Sequence, residues 1–267
     1  MSVLICPVCG GELTRRERSY SCPAGHSYDI ARQGYVNLLM SNQSSAARHG
    51  DDRLMVNARR DFLDRGYYNP LRDAVIRAVS GSVKGGVTVD SGCGDCWYTS
   101  AVYGVLGGEV IGVDISKAAL IAGARRCREL TLCVASASRL PIRSGSADTV
   151  LNIFSPAELG EFHRVLAPRG RLIRALPMER HLWSLKKAVY DTPYLNPPTE
   201  TELPGFRLAG SQEVRTQIDL KTSEDIQNLF KMTPYYYKTG RNDQEKLTRL
   251  DSLTVEIEVI VAVYEKR

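Results

Sequence analysis

At 267 residues the chain is long enough for one full α/β domain with a small accessory module. An apolar content of 43% and a charged content of 24% describe a globular protein, and no apolar run is long enough to span a bilayer. The net charge of +5 permits a polyanionic partner without demanding one. Residues 1–5 are too short and uncharged for a signal peptide, and the seven cysteines form no secreted disulfide framework, so a cytoplasmic setting is expected.

In chain order, the first pattern is Cys6-Pro-Val-Cys9 followed by Cys22-Pro-Ala-Gly-His26, two close pairs separated by twelve residues. Three thiolates and one imidazole carried on two short turns suit a closed tetrahedral zinc site. Cys6, Cys9, Cys22 and His26 would fill every coordination position, so the expected Zn2+ is structural rather than catalytic. A β-rich module is predicted over residues 1–36, with a hairpin around Leu13-Thr14 and Ser19–Ser21. Tyr28-Asp29 then leads into Gly34–Leu39. Residues 40–53 are polar and small, reading as a linker or as a loop that orders on a partner. Asp51-Asp52 can cap a helix whose apolar face is Met55, Ala58, Phe62 and Leu63. After the turn at Gly66-Tyr67-Tyr68, a second helix is predicted from Pro70 to about Val79. Residues 37–85 thus form a linker and helical segment, and residues 86–267 a separate domain.

From Val87 the pattern alternates between strand and helix. Strands are predicted at Val87–Asp90, Glu109–Asp114, Leu132–Ala135, Ala147–Phe154 and Arg171–Leu176. The helices between them are predicted at Ser100–Leu106, Lys117–Arg126 and Glu158–Val165. This alternation builds a largely parallel, Rossmann-like α/β sheet with helices on both faces. Leu253–Tyr264, with apolar residues at alternate positions, is a late strand expected to end the sheet.

The first strand of that sheet runs into Asp90-Ser-Gly92-Cys93-Gly94-Asp95, at the junction where doubly wound folds bind ligands. The second ends in Asp114, about twenty residues on, where an acid accepts hydrogen bonds from ribose hydroxyls. A dinucleotide loop needs a third glycine to seat a pyrophosphate. Here it is missing, and Asp95 would repel a phosphate. Asp90 and Asp95 suit a cationic ligand, and S-adenosyl-L-methionine carries a sulfonium, an ammonium and no phosphate.

Asp90-Ser-Gly-Cys-Gly94 resembles motif I of class I methyltransferases. The likeness extends through the zinc spacing, Gly34-Tyr-Val-Asn-Leu-Leu39, Ala58-Arg-Arg-Asp-Phe-Leu63, Gly66-Tyr-Tyr-Asn-Pro-Leu71, Val134–Pro141, Arg180-His-Leu182 and Met232-Thr-Pro234. Together these resemble the RlmA-type 23S rRNA guanine-N1 methyltransferases over nearly the whole chain. The resemblance implies methyl transfer to N1 of a guanine in a hairpin of large-subunit RNA, with the zinc module helping to grip it. It implies that Gly92, Gly94 and Asp95 line the methionine and adenosine portions of the donor. Asp114 would hold the ribose, and Ser136 to Arg139 would border the adenine. Tyr68 would fold over the donor as part of a lid, and His181 would reach the same cavity. Asn152-Ile-Phe-Ser-Pro156 would present the target base. A homodimer pairing two clefts is implied by resemblance alone.

Three departures stand out. Cys96 occupies a usual glycine position, where a side chain would crowd the methionine tail. Arg169-Gly170 replaces a glycine pair, and Ser91 replaces an apolar residue. Guanine N1 carries a proton, so a base or hydrogen-bonding network is needed. His181 is a candidate base as well as a packing residue, His163 is expected on a solvated helix face, and His49 lies in the polar linker as a candidate RNA contact. Basic residues cluster at Arg15-Arg16-Glu-Arg18, Arg32, Arg59-Arg60 and Lys186-Lys187. Tyr235-Tyr-Tyr-Lys238 has the composition to stack on an extruded base, with at least one tyrosine expected in the core. Two other readings stay open: a non-catalytic, zinc-containing RNA-binding protein with a degenerate donor site, and a methyltransferase acting on another RNA or a small molecule.

Overall fold

The computed structural model describes residues 2–40 and 50–267. The centre of the expected linker, with His49, lies outside the described residues. No helix among the described residues is long and apolar enough to cross a membrane.

The N-terminal module is a three-stranded antiparallel sheet, β1 (Thr14–Arg15), β2 (Ser19–Ser21) and β3 (Ser27–Asp29). It docks on the main body through an antiparallel bridge between Leu4 and Ile142, extended by Ile5 N–H donating to Pro141 O at 2.9 Å. β4 (Tyr35–Asn37) then joins the large sheet in parallel with β7 (Thr131–Val134), so the residue-36 boundary falls inside a strand of that sheet.

Two helices follow. α1 (Arg53–Asp64) is capped by Asp52, whose carboxylate accepts from the Leu54 and Met55 N–H groups, satisfying two otherwise unpaired donors. α2 (Asn69–Val79) has Pro70 in its first turn, where the missing N–H is not needed. The alternating part runs β5 (Val87–Ser91), α3 (Trp97–Leu106), β6 (Glu109–Asp114), α4 (Lys117–Arg126), β7, β8 (Ala147–Ile153), α5 (Leu159–Val165) and β9 (Leu166–Pro177). α6 (Trp183–Val189), β10 (Phe206–Leu220), α7 (Ser223–Lys231), α8 (Arg241–Thr248) and β11 (Leu253–Lys266) complete the chain.

The eight-stranded sheet has the order β10-β11-β9-β8-β5-β6-β7-β4, parallel from β4 to β9 and antiparallel beyond. The late strand predicted at Leu253–Tyr264 exists as β11, but it does not end the sheet. It lies between β9 and β10, because the 15-residue β10 takes the edge. Alternate strand residues feed opposite faces. Leu151, Ile153, Ile173 and Ala175 enter one core with Phe62 of α1, Leu71 of α2, Val102 of α3 and Leu229 of α7. Val150 and Leu172 enter the other with Phe162 of α5 and with Leu4, Leu13 and Tyr20 of the N-terminal module. Strand order reverses beside β5, so the crevice beyond its C-terminal end is where this topology places a ligand.

Candidate functional site

That crevice gathers the predicted donor residues. Asp90 closes β5, Asp114 closes β6, Ser136 follows β7, and His181 follows β9. Tyr68 enters from the start of α2. Gly92 has φ +81°, and a Cβ there would collide with Ser155, whose Oγ donates to Ser91 O at 2.6 Å. Gly94, at φ +55°, donates its N–H to Asp114 Oδ2 at 2.8 Å, and Asp114 Oδ1 accepts from Ser116 N–H at 2.8 Å. The acid at the end of β6 is thereby held against the glycine loop. Burial raises its pKa, while the two N–H groups that it accepts from pull it down.

Asp90 is buried near the C-terminal end of β5, within electrostatic reach of Asp114. Thr99 Oγ1 donates to its Oδ2 at 2.6 Å, but Oδ1 is buried and without a partner among the described residues. Burial pushes the carboxyl up to about 7, with the Thr99 bond opposing and the charge of Asp114 adding to the rise. A buried, half-satisfied carboxylate fits a ligand that brings its own cation. Asp95, expected to face that cation too, is turned elsewhere. Its carboxylate pairs with Arg126 at 2.8 Å, and Arg126 also bonds Asp64 of α1 at 2.9 Å. Of the two acids, Asp90 is the one with an oxygen left unpartnered among the described residues.

Cys96 has φ +61° and is fully buried. Its side chain runs toward α4, where a Cβ on Gly123 would lie 2.5 Å from the sulfur. The predicted crowding is thus taken up by a glycine across the α3–α4 contact, a pairing that no local motif reveals. Ser136 caps the 3-10 turn at 137–139, accepting from Ser138 N–H at 3.3 Å.

At the opposite wall, Phe154 combines φ +52° with 42% exposure and stacks on His181 at 5.7 Å between ring centroids and 23° between planes. Tyr68 lies edge-on to His181 at 6.4 Å. A left-handed backbone at a bulky aromatic residue is strained and marks a built feature. Asn152 holds this turn, its amide donating to Ser155 Oγ at 2.6 Å and to Pro156 O at 3.1 Å, while its Oδ1 accepts from Arg174 Nε at 3.0 Å. His181 Nδ1 accepts from Glu258 N–H at 3.3 Å. Burial, with the charge of Lys186, depresses its pKa to about 3. Its Nδ1 is already engaged, and its ring backs that of Phe154.

Two of the basic candidates have partners within the protein. Arg59 pairs with Asp51 and donates to Met232 O at 3.1 Å, lying over Gly94. Lys186 is buried, donating to Tyr194 O and Asn196 Oδ1 between the rings of Tyr194 and Tyr235. Tyr235 and Tyr236 pack against the core and Tyr237 is exposed, as the composition of that run suggested. His163 is half-buried, edge-on to Phe206 at 5.8 Å, rather than solvated.

In the N-terminal module the ligand atoms of Cys6, Cys9, Cys22 and His26 all lie within 4.8 Å of one another. Cys9 Sγ is 3.6 Å from Cys22 Sγ, and His26 Nδ1 is 3.3 Å from Cys22 Sγ and 3.6 Å from Cys6 Sγ. Tetrahedral bonds of about 2.3 Å to sulfur and 2.0–2.1 Å to nitrogen give edges of about 3.8 and 3.6 Å, so the set fits zinc. Burial raises the Cys6 thiol, but the Tyr28 hydroxyl at 3.0 Å and nearby backbone donors outweigh it and bring the pKa to about 6, favouring the thiolate that binds metal.

Comparisons with known proteins agree with this geometry. The family described as "Methyltransferase domain" matches residues 89–174, which span β5 to β9. The YcgJ protein of Bacillus subtilis, a solved structure, superposes with a TM-score of 0.50 at 13% identity over 73% of this chain and 97% of that one, a likeness of fold. The protein is a class I methyltransferase that uses S-adenosyl-L-methionine and carries a structural zinc ribbon. The family described as "RlmA, N-terminal" matches residues 4–45. A Micromonospora griseorubida protein with a 23S rRNA (guanine-N(1)-)-methyltransferase name is 33% identical over 97% of this chain and 95% of its own. The 23S rRNA (guanine(748)-N(1))-methyltransferase of Streptomyces fradiae is 36% identical over 70% of this chain and 67% of its own. The chain belongs to the family of 23S rRNA (guanine-N1)-methyltransferases.

Proposed function

We propose that this enzyme transfers a methyl group to N1 of a guanine in a hairpin of 23S rRNA in the cytoplasm. The single observation that carries the donor half is Asp90, a buried carboxylate with one oxygen unpartnered at the end of β5. Asp90 would pair with the ammonium group of the donor, Asp114 would accept from its ribose, Gly92, Gly94 and the backbone of Asp95 would line it, and Ser136 would border its adenine. When bound, the donor supplies an electrophilic methyl on sulfur. Tyr68 would close the cleft from above.

The acceptor half rests on Phe154. An exposed ring on a strained turn, backed by His181 and held through Asn152 and Arg174, suits stacking on an extruded guanine. Stacking would keep the base within about 3–3.5 Å of the methyl group and in line with it. Cys6, Cys9, Cys22 and His26 would hold zinc, keeping residues 1–36 rigid as an RNA-gripping module. Residues 37–85 would act as the lid and residues 86–267 as the methyltransferase domain, with a homodimer as the proposed assembly.

The test is methyl transfer from labelled donor to equimolar, unmodified 23S rRNA, 16S rRNA and tRNA. Label confined to 23S rRNA supports the reading. Label in another RNA, or none in any RNA with zinc and fold intact, overturns it.

A further inference from the structure

A second concavity of about 820 Å³ lies between the segment leaving the zinc-bearing module and the last turn of α4. Gly34, at φ +98°, makes the turn that brings this segment onto α4, where a Cβ would meet Ala124 at 3.5 Å. Arg32 stands on one wall, and Arg125 and Arg128 on the other. All three are exposed, and none of their guanidinium groups has a hydrogen bond or salt bridge among the described residues, although Arg128 lies near enough to Glu129 to help lower that carboxylate's pKa. Arg126, in the same turn of α4, is by contrast paired, meeting Asp95 at 2.8 Å and Asp64 at 2.9 Å. No acidic residue lines the concavity. Glu129 lies beside it, accepting from Cys127 Sγ at 3.3 Å, and even counted against the arginines it leaves a net positive charge.

We infer that this groove binds the phosphodiester backbone of RNA, an assignment that rests on the RNA-methyltransferase reading above. Guanidinium forks match phosphate oxygens in pairs. No aromatic ring lines the groove to stack a base, so it would track backbone rather than read sequence. Its position has a mechanical consequence. In the same turn of α4, Arg126 reaches back to Asp95 of the glycine loop and to Asp64 of α1. A backbone seated against Arg125 and Arg128 is thus one side chain away from the donor loop.

The test compares wild-type enzyme with the triple variant Arg32→Gln, Arg125→Gln, Arg128→Gln in binding to unmodified 23S rRNA across a salt series. Because the side chains are exposed, folding is checked by an unchanged melting temperature and unchanged donor affinity. Each lost phosphate contact lowers the salt slope by about 0.7–0.9, so a fall of roughly 2–3 is expected, with affinity weakened tenfold or more at physiological salt. The corresponding triple lysine variant should keep most of the slope. Equal slope and affinity in the glutamine variant and the wild type would overturn the groove assignment alone. Wild-type enzyme without salt-dependent RNA binding would overturn both it and the function beneath it. Saturable binding of inorganic phosphate, lost in the glutamine variant without any change in RNA affinity, would make the groove a small-anion site and refute the inference.

Discussion

Replacing Asp90 with asparagine should make the enzyme more stable at pH 8 and nearly unable to hold its donor. The carboxyl is raised from an ordinary value of 3.8 to about 7 by burial. Between those two values the native state holds the proton more tightly than the unfolded chain, so stability falls as pH rises across that window. Above pH 7 the loss is complete, at about 1.4 kcal/mol per unit or roughly 4 kcal/mol in all. Asparagine removes that charge and keeps an oxygen to accept from Thr99. Its NH2 group, however, takes the place of the unpartnered oxygen, and a buried unpaired donor costs about 1–3 kcal/mol. The net gain expected at pH 8 is about 1–3 kcal/mol, shrinking as pH falls toward 4, where wild type recovers its own penalty. Urea denaturation of both proteins without donor, at pH 8 and pH 5, measures this. Calorimetry at pH 8 should then give at least tenfold weaker S-adenosyl-L-methionine binding. A variant less stable at pH 8, or a stability difference independent of pH, would refute the buried-charge argument. Unchanged donor affinity would move the ammonium site elsewhere.

The same titration predicts that wild-type donor affinity falls by up to tenfold per pH unit below about pH 7, as Asp90 takes up a proton; a flat profile from pH 8 to 6 would contradict its role. Asp114→Ala should weaken donor binding by about 1–3 kcal/mol in the same calorimetric assay, through lost charge-assisted hydrogen bonds. Cys9→Ser should release zinc, read by metal analysis, and raise hydrogen exchange across residues 4–30 while the large sheet stays protected; global unfolding would contradict a separable module. Gly123→Ala should cost about 1–3 kcal/mol in wild type because the new methyl meets Cys96 Sγ, and much less in a Cys96→Gly background; additive effects would refute that contact.

Much of the fold was legible because its signals are local. The alternation from Val87 to Leu176, the Asp52 cap and the cysteine spacing each lie within a few residues. β10 was not legible, since most of its residues are polar and exposed, as suits a sheet edge, and its partner β11 is distant in sequence. That missing strand is also why β11 reads as the end of the sheet. That Asp90, Gly92, Gly94 and Asp114 sit together at the ends of β5 and β6 was legible from one loop and one spacing. Arg126 neutralising Asp95, Gly123 accommodating Cys96, and Arg59 folding inward to Asp51 were not, because each is a contact between separate elements with no shared motif. Phe154 could have been singled out inside Asn152–Pro156, but its left-handed backbone and its stacking on His181 are properties of the folded turn.

The most direct test of the account is the chemical identity of the product. Zinc-loaded enzyme would be incubated with S-adenosyl-L-methionine and unmodified 23S rRNA, the RNA digested to nucleosides, and methylated species separated by mass spectrometry against standards. The account predicts 1-methylguanosine, reduced in Asp114→Ala at donor concentrations that saturate wild type, and sharply reduced in Phe154→Ala. A methyl group on another guanine atom or another base, or no methylated nucleoside from an enzyme that binds its donor, would contradict it.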